Sequence, residues 1–488
     1  MKSKKVPQGK AAHTSRPRKS KARSLKVVHP NAGGTDVGAR EHYVAVPPDA
    51  VPAEQSNVRV FGTFSADLDA LVEWLKACRV DTVAMESTGD YWIPLFQKLE
   101  AAGLEAVLVN AHHLKSVPGR KSDMKDCQWI QQLHSYGLLS GSFRPEDPVC
   151  RLRTLVRHRA NLVSAGAEHI LHMQKALTQM NVQVHHVVSH LTGETGLRIL
   201  RAILAGERDP DQLVQLRDPQ ITKSTVEQMR QGLVGDWRPE LLFVLKQSLK
   251  GWEFSQEQMN QCDVEIEKQL RSMRSAEESP LPAKPKADPL AAASPKPKRP
   301  QSRKRNDPQR DLAPELARVC GVDLMQAHGL RILTILVVLS EIGVDMGAWR
   351  SGKAFSSWLG LCPNNKISGG RVLSTRTRPN ANRAAQALRM AAVGLAETDT
   401  WVGSFYRRMR ARLGPAGAVT ATAHKLALVV YHLLKHRESF LDRDLAGYEA
   451  RVSRDKLARL RKQANRMGFE LVPKNEPQKT NKEQTVTE

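Results

Sequence analysis

The first third of the chain alternates short apolar runs with amphipathic segments. Three β-rich runs, VVHPNAGGTDV, HYVAV and VRVFGTF, come before SADLDALVEWLKACR, whose apolar residues recur on one helical face. The strand TVAME, a helix over about 91–102, the strand AVLVN and a helix from about Ser122 complete the segment. Consecutive strands followed by alternating helices and strands predict an α/β domain with a mixed sheet over residues 27–148.

The hydrophobic period changes to seven from about Val149 to Met180, and helical patterns continue to about Arg274. Together they predict a helical, coiled-coil middle region over residues 149–275. The pattern is interrupted by Arg159 and Gly166. It leaves two arrangements open, packing of helices within one chain and dimerisation through the coil. The residues that carry the repeat are Val156, Val163, Ile170 and Leu177, with Leu152, Met173 and Met180 on the neighbouring seam.

The remaining segments differ mainly in composition. Residues 1–26 hold ten Lys or Arg and no acid, which predicts a disordered basic arm. Residues 276–311 are rich in Pro, Lys, Ala and Ser and predict a disordered linker. Apolar helical patterns over 312–440 predict a compact, mainly helical domain, and 441–488 predict a basic helix with a polar tail.

The charge balance indicates a polyanionic partner. Lysine and arginine total 74 against 50 acids, a net charge of +24, which favours nucleic acid over an acidic membrane surface. No apolar run approaches the roughly 20 residues that span a bilayer, and the start MKSKKVPQGK has no apolar signal region. We therefore expect a cytosolic protein without a membrane partner, whose six cysteines, none in a CxxC pair, are reduced.

Four carboxylates stand where a metal site requires them. Asp36 ends the first strand and Glu86 the fourth, while Asp123 and Asp126 lie three apart at a helix start and share a face. Phosphodiester chemistry by two divalent ions needs several converging carboxylates, so the set predicts a site for Mg²⁺ or Mn²⁺. The alternative for the second pair is an ordinary role as charges at a helix N-terminus.

Basic residues surround the second pair of acids. Arg120, Lys121 and Lys125 are placed to steer phosphates towards bound metals. Glu86 is followed by Ser-Thr-Gly-Asp-Tyr-Trp, a tight turn in which a buried carboxylate is costly without cations. Both features favour a phosphate-binding metal site over isolated surface acids.

The motifs GTDV, AMESTGDYW and GRKSDMKDCQW resemble the DEDD signature of the insertion sequence 110 transposase family. The resemblance extends from about Val27 to Arg437. It implies an RNase H-like, RuvC-like N-terminal domain, a coiled-coil middle and a compact helical transposase domain. It also implies DNA as substrate, a noncoding bridge RNA as guide, a homo-oligomer (dimer or tetramer) and a place at the nucleoid of a prokaryotic cell.

The resemblance gives a role to a serine in the C-terminal domain. The segment NKISGGRVLST places Ser368 where the family has its nucleophilic serine. Read without the resemblance, Ser-Gly-Gly is an ordinary turn. A serine nucleophile holds a DNA end as a phosphoserine ester, and Arg371, Arg376 and Arg378 would stabilise the charge that develops on the phosphate.

These features together predict a transposase that combines the carboxylates with the serine. Two alternatives remain open. A RuvC-like junction endonuclease needs only the carboxylates, so that Ser368→Ala leaves its cleavage intact. A noncatalytic nucleic-acid-binding scaffold tolerates Asp126→Asn and binds without magnesium.

Overall fold

The computed structural model describes residues 26–87, 89–110, 123–221, 223–275, 304–379, 382–438 and 445–471, and within the helix from Asp123 it describes side chains from residue 126 onward. The chain divides into two compact units, Met1–Arg144 and Pro145–Glu488. Residues 1–25 of the predicted basic arm, residues 276–303 of the predicted linker, and Arg120 and Lys121 lie outside the described residues.

A five-stranded sheet forms the centre of the first unit, in the order β3-β2-β1-β4-β5. The first three strands pair antiparallel as consecutive hairpins, whereas β1, β4 and β5 run parallel. The mixed, RNase H-like sheet expected from the sequence is confirmed, with the first and fourth strands as neighbours. The strands are β1 (Ala32–Val37), β2 (Glu41–Ala45), β3 (Val58–Gly62), β4 (Thr82–Glu86) and β5 (Glu105–Val109).

Helices cover both faces of this sheet. α1 (Ser65–Ala77) and α2 (Trp92–Ala101) bury Leu71, Leu75, Leu95 and Leu99 against one face. α3 (Asp123–Ser135) lies on the other face, against β1, β2 and β4. Because both faces are covered, β1 and β4 are buried along nearly their whole length.

A buried histidine links α3 to the start of β4. His134 is 4% exposed, its Nε2 lies 2.9 Å from the Thr82 hydroxyl, and its ring stacks on His29 at 5.0 Å. Burial, with a smaller contribution from the nearby His29, lowers the pKa of His134 to about 4. The imidazole is therefore neutral at physiological pH.

Because His134 is neutral when the protein is folded, we expect the free energy of unfolding to fall in acid. The unfolded chain takes up a proton near pH 6.5 and the folded chain only near pH 4, so stability falls as the pH drops through that interval, by at most about 3 kcal/mol. Urea unfolding at pH 7.5 and pH 5 measures the loss. We expect His134→Gln to reduce the difference between the two pH values, and His158→Gln, at an exposed site, to preserve it. An unchanged difference in His134→Gln would contradict the assignment.

Two long antiparallel helices dominate the second unit. α4 (Asp147–Gln179) packs along most of its length against a helix over Pro239–Ser272. Of the seven predicted seam residues, Val163 and Ile170 are half-buried and the other five are buried. The seven-residue repeat therefore serves, at least in part, to pack two helices of one chain.

Short helices close the far end of this helical pair around a shared apolar core. These are α5 (Val184–Val187), α6 (Glu194–Ala205), α7 (Pro210–Gln215) and α8 (Val226–Gly232), and the returning long helix is α9 (Pro239–Ser272).

The interruption of the repeat at Arg159 has a partner on the opposite helix. Arg159 and Asp263 are 6% and 1% exposed and form a two-armed ion pair, with Nε to Oδ1 at 2.5 Å and Nη2 to Oδ2 at 3.3 Å. Two buried opposite charges with matching hydrogen bonds fix the register of the helices, since any shift would leave a charge buried alone.

The last residues of the predicted linker bind to this helical pair. The Asn306 carbonyl accepts from Arg159 at 3.1 Å, and the Gln309 amide donates to Asp263 at 3.0 Å. Arg310 forms an ion pair with Glu267 of α9. Residues 304–310 thus belong to the folded structure, and the second unit includes chain from both sides of the predicted linker.

The C-terminal part of this unit is mainly helical, as expected. It begins with α10 (Ala313–Cys320), followed by a 3₁₀ turn and the apolar α11 (Ile332–Ile342), and it contains one short hairpin of two strands. α11 is tied to α4 because Arg157 donates two hydrogen bonds of 2.9 Å to Glu341. The later helices are α12 (Gly352–Trp358), α13 (Arg383–Val393), α14 (Trp401–His436) and α15 (Leu445–Arg466).

One described helix, α14, has the length and composition of a membrane span, with a mean hydropathy of 1.2 over 18 residues. A third of that window is buried. Gly414 has φ 76° and ψ 175° and is followed by Pro415, so two helices meet there at a kink. Buried side chains such as Leu426 and Val430 give the second of them the character of a core helix.

Candidate functional site

Asp36 and Glu86 stand at the ends of neighbouring strands. β1 and β4 pair in parallel with Thr35 beside Met85, so the next residue of each strand brings Asp36 beside Glu86. Both acids are half-buried. The parallel pairing of β1 and β4 therefore brings these two predicted site residues side by side.

Both acids lie on the sheet face that α3 covers. Side chains alternate along a strand, so Asp36 shares a face with Gly34, and Glu86 shares a face with Ala84 and Thr82. A Cβ atom added to Gly34 would come within 2.5 Å of the Cys127 carbonyl oxygen and would also overlap the Gln131 backbone, both in α3. Ala84 belongs to one apolar cluster with Ile130 of the same helix.

The direction of α3 brings its first turn to the acidic end of the sheet. Its last turn contacts the start of β4 through His134 and Thr82, and its middle contacts Gly34. The helix therefore runs opposite to β1 and β4, and the turn with Asp123 and Asp126 lies towards the strand ends. Asp126 is half-buried.

The negative charges of Asp36 and Asp126 both act on the thiol of Cys127. The pKa of Cys127 is raised to about 12, mainly by burial and to a smaller extent by the negative charges of Asp36 and Asp126. One of these acids belongs to the sheet and the other to the helix. One acid of the sheet and one of the helix thus lie close enough to act on the same group.

The fourth acid is Asp123. Asp123 begins α3, but its side chain and that of Lys125 are outside the described residues. Among the side chains that the structure describes, no three His, Cys, Asp or Glu form a group that could hold a metal ion. The donor set is chemically suited to Mg²⁺ or Mn²⁺, since these hard cations prefer carboxylate oxygens.

Ser368 lies at the tip of an exposed β-hairpin in the second unit. β6 (Lys366–Ser368) pairs antiparallel with β7 (Arg371–Ser374). The two loop residues, Gly369 and Gly370, have φ values of +54° and +75°, which a tight two-residue hairpin loop requires. The predicted turn is thus a hairpin loop that presents the serine to solvent.

The three predicted arginines differ in their relation to the serine. Arg371 pairs directly with Ser368 across the hairpin. Arg376 lies further towards the hairpin base, where its carbonyl accepts from the Asn364 amide at 3.0 Å. Arg378 donates to the carbonyl and hydroxyl oxygens of Ser357 at 3.1 and 3.2 Å and lines a shallow pocket with Trp358. Arg371 is the cation that this register places next to Ser368.

The contact of Gly34 with α3 and the register of the Ser368 hairpin were not anticipated from the sequence, although Arg371 itself was among the predicted arginines. Gly34 permits the close approach of α3, and its signal is the Gly-Gly pair before Thr-Asp in β1. Arg371 stands across from Ser368, and its signal is the Gly-Gly loop flanked by β-prone residues, which fixes the register of a hairpin.

Comparison with known proteins gives two matches to transposase families. Residues 33–182 match a DEDD transposase model of the IS110 type, and this region includes all four acids. Residues 323–407 match the transposase IS116/IS110/IS902 family, and this region includes Ser368. No individually curated protein matched. Two matches of the same kind, in order along one chain, show that it belongs to the IS110 family of DEDD transposases, enzymes that cleave and rejoin DNA.

Proposed function

We propose that this transposase binds Mg²⁺ or Mn²⁺ through Asp36, Glu86, Asp123 and Asp126 and breaks DNA with Ser368. The observation that carries the proposal is the approach of α3 to the ends of β1 and β4. It directs Asp36, Glu86 and the first turn of α3, from three elements of one unit, towards the same end of one sheet face. Half-buried acids of like charge repel one another, and a divalent cation relieves that repulsion.

The carboxylates would hold the metal ions at the open edge of the sheet. When bound, the metals supply positive charge that neutralises a phosphodiester and orients it for attack. The protein keeps the acids in place through the β1–β4 pairing and through the close contact between Gly34 and α3.

Ser368 would form the covalent bond to DNA. Its Oγ attacks the phosphorus, the bond from phosphorus to the departing strand breaks, and the serine proton is released as the departing oxygen gains one. One phosphate ester replaces another, so a second strand end can reverse the step and rejoin the DNA without an external energy source. Arg371, across the hairpin, stabilises the negative charge on the phosphate.

The carboxylates and the serine belong to different compact units of the chain. In our proposal they act on one phosphodiester within a homo-oligomer, with the metal ions of one protomer preparing the phosphate that the serine of another attacks. The proposal rests on the family resemblance for this division of labour.

A noncoding bridge RNA would select the DNA sites by base pairing. The support is the family resemblance together with basic surfaces suited to nucleic-acid backbones. α15 carries seven Arg or Lys against two acids and is mostly exposed, and the whole chain has a net charge of +24. Binding through such contacts weakens strongly with salt. The place of action would be the nucleoid, in the cytoplasm of a prokaryotic cell.

An adduct assay tests the serine mechanism. Purified full-length protein is incubated with DNA of the element ends, the flanking noncoding transcript and Mg²⁺, and is then analysed on denaturing gels. We expect a covalent protein–DNA adduct that mass spectrometry locates at Ser368 and that Ser368→Ala abolishes. Cleavage that persists in Ser368→Ala without an adduct would favour the junction endonuclease. Magnesium-independent binding without any cleavage would favour the noncatalytic scaffold.

A further inference from the structure

The hairpin that carries Ser368 also carries exposed aliphatic side chains. Ile367 is 62% exposed and Val372 is 56% exposed, and the two residues pair directly across the strands. Leu373, at the irregularity in the pairing, is 68% exposed. Residues 363–373 are exposed throughout. The tip of the hairpin is thus an apolar projection.

The two faces of the hairpin have different chemistry. Residues that pair directly lie on the same face of a two-stranded ribbon, and the next pair lies on the opposite face. Ile367 and Val372 therefore form one face, and Ser368 and Arg371 form the other. The proposed nucleophile, Ser368, and the aliphatic pair thus occupy opposite faces of the hairpin at adjacent positions.

The charge of the sequence around the hairpin favours a polyanion as the occupant of the aliphatic face. Residues 346–396 contain eight Arg or Lys and no Asp or Glu. A second copy of this surface would bring like charges together, which opposes contact between copies. A polyanion offers the matching charge, and duplex DNA also offers apolar base surfaces in its interior.

We propose that Ile367 and Val372 form a wedge that enters the minor groove of duplex DNA and partly unstacks one base step beside the phosphate that Ser368 attacks. The proposal rests on the proposed function for the position of the serine. Aliphatic side chains that enter the minor groove separate base pairs and kink the duplex, and the kink opens the groove. Arg371 on the opposite face contacts a phosphate of the opened groove.

With such a wedge, the cleavage rate depends on the DNA sequence at the cut even though no base-specific hydrogen bond forms. Pyrimidine–purine steps such as TA and CA unstack more readily than other steps. Cleavage is therefore expected to be fastest when such a step lies at the wedge.

Permanganate oxidation of unstacked thymines tests the wedge along the whole duplex. Full-length Ser368→Ala protein, which binds without cutting, is mixed with end-labelled element-end DNA, the flanking transcript and Mg²⁺. We expect one or two thymines next to the cut site to become at least about fivefold more reactive, because an unstacked thymine exposes its ring face to the oxidant. Adding Ile367→Ser and Val372→Ser should return these thymines to the level of free DNA.

Two further comparisons separate the wedge from other effects. Met390→Ser with Val393→Ser removes two exposed aliphatic side chains from α13 in the same acid-free stretch and should leave the reactivity unchanged. In protein that retains Ser368, the wedge variant should cut about tenfold more slowly. A two-base mismatch at the reactive step should restore most of that rate.

Each outcome has a distinct meaning. Thymine reactivity that persists in the wedge variant would overturn the wedge, because RNA pairing or another part of the protein then opens the DNA. Binding by Ser368→Ala without any reactive thymine would also overturn the wedge, and would leave the proposed function standing. Absence of DNA binding would contradict both. A wedge variant that binds a protein partner less well but opens DNA normally would assign the face to that partner.

Discussion

Replacing Glu86 with glutamine is expected to lower the rate of DNA strand cleavage by about 10³-fold without unfolding the protein. Glutamine preserves the size of the side chain and removes the charge that a divalent cation requires. Because Glu86 ends a strand whose other residues are buried, the backbone around it should not move. The rate is measured on labelled element-end DNA with saturating Mg²⁺.

A neighbouring acid provides the matched control. Asp90 is exposed and lies four residues further along, in the turn before α2. Its carbonyl, not its side chain, accepts from the Ile93 amide, so Asp90→Asn should preserve both the turn and the cleavage rate. Titration with Mn²⁺, followed by electron paramagnetic resonance, should show weaker binding only in Glu86→Gln. Equal rates for the two variants would remove Glu86 from the metal site.

Replacing Gly34 with alanine is expected to be the most damaging change of a single methyl group in the first unit. The new Cβ would overlap the backbone of α3 at Cys127 and Gln131, and a backbone cannot rotate away as a side chain can. The helix must therefore move off the sheet, at a cost of about 3 kcal/mol. The same movement displaces Asp126, and a displacement of about 1 Å at a catalytic group costs about 10²-fold in rate.

The adjacent glycine makes this prediction specific. A Cβ on Gly33 would meet only side-chain atoms of Val80, Val83 and Leu75, at 3.3–3.6 Å. These side chains can adjust, so Gly33→Ala should cost less than about 1 kcal/mol. Urea unfolding and cleavage rates of the two variants give the comparison. A Gly34→Ala protein as stable and active as Gly33→Ala would show that α3 does not need this contact.

Much of the sheet and of the acidic site could be predicted because local pattern determines them. Alternating strands and helices indicate a mixed sheet, and Asp36 and Glu86 stand at strand ends in the sequence itself. The spacing of Asp123 and Asp126 places them on one helical face wherever the helix lies. What the pattern does not contain is the direction of α3 across the sheet, which depends on tertiary contacts at Gly34 and His134.

The less predictable features depend on residues far apart in the chain. Arg159 interrupts the seven-residue repeat of its own helix. Its burial is explained by the ion pair with Asp263, which lies 104 positions later in the chain. The hairpin at Ser368 shows a similar limit. Its Gly-Gly loop is visible in the sequence, whereas the exposure of Ile367 and Val372 depends on the absence of a covering element among the described residues, and aliphatic side chains are ordinarily taken as core.

The binding of residues 304–310 to α9 changes the role expected of the stretch before them. Ser275 lies three residues beyond the end of α9, and Asn306 and Arg310 contact that same helix or its partner. Both ends of the 276–303 segment are therefore fastened to one scaffold, and its length does not set the spacing of separate domains. The free-energy cost of joining two fixed points through a connecting chain rises only slowly with the length of that chain. For protein engineering, this stretch is a natural place to shorten the chain or to insert a tag.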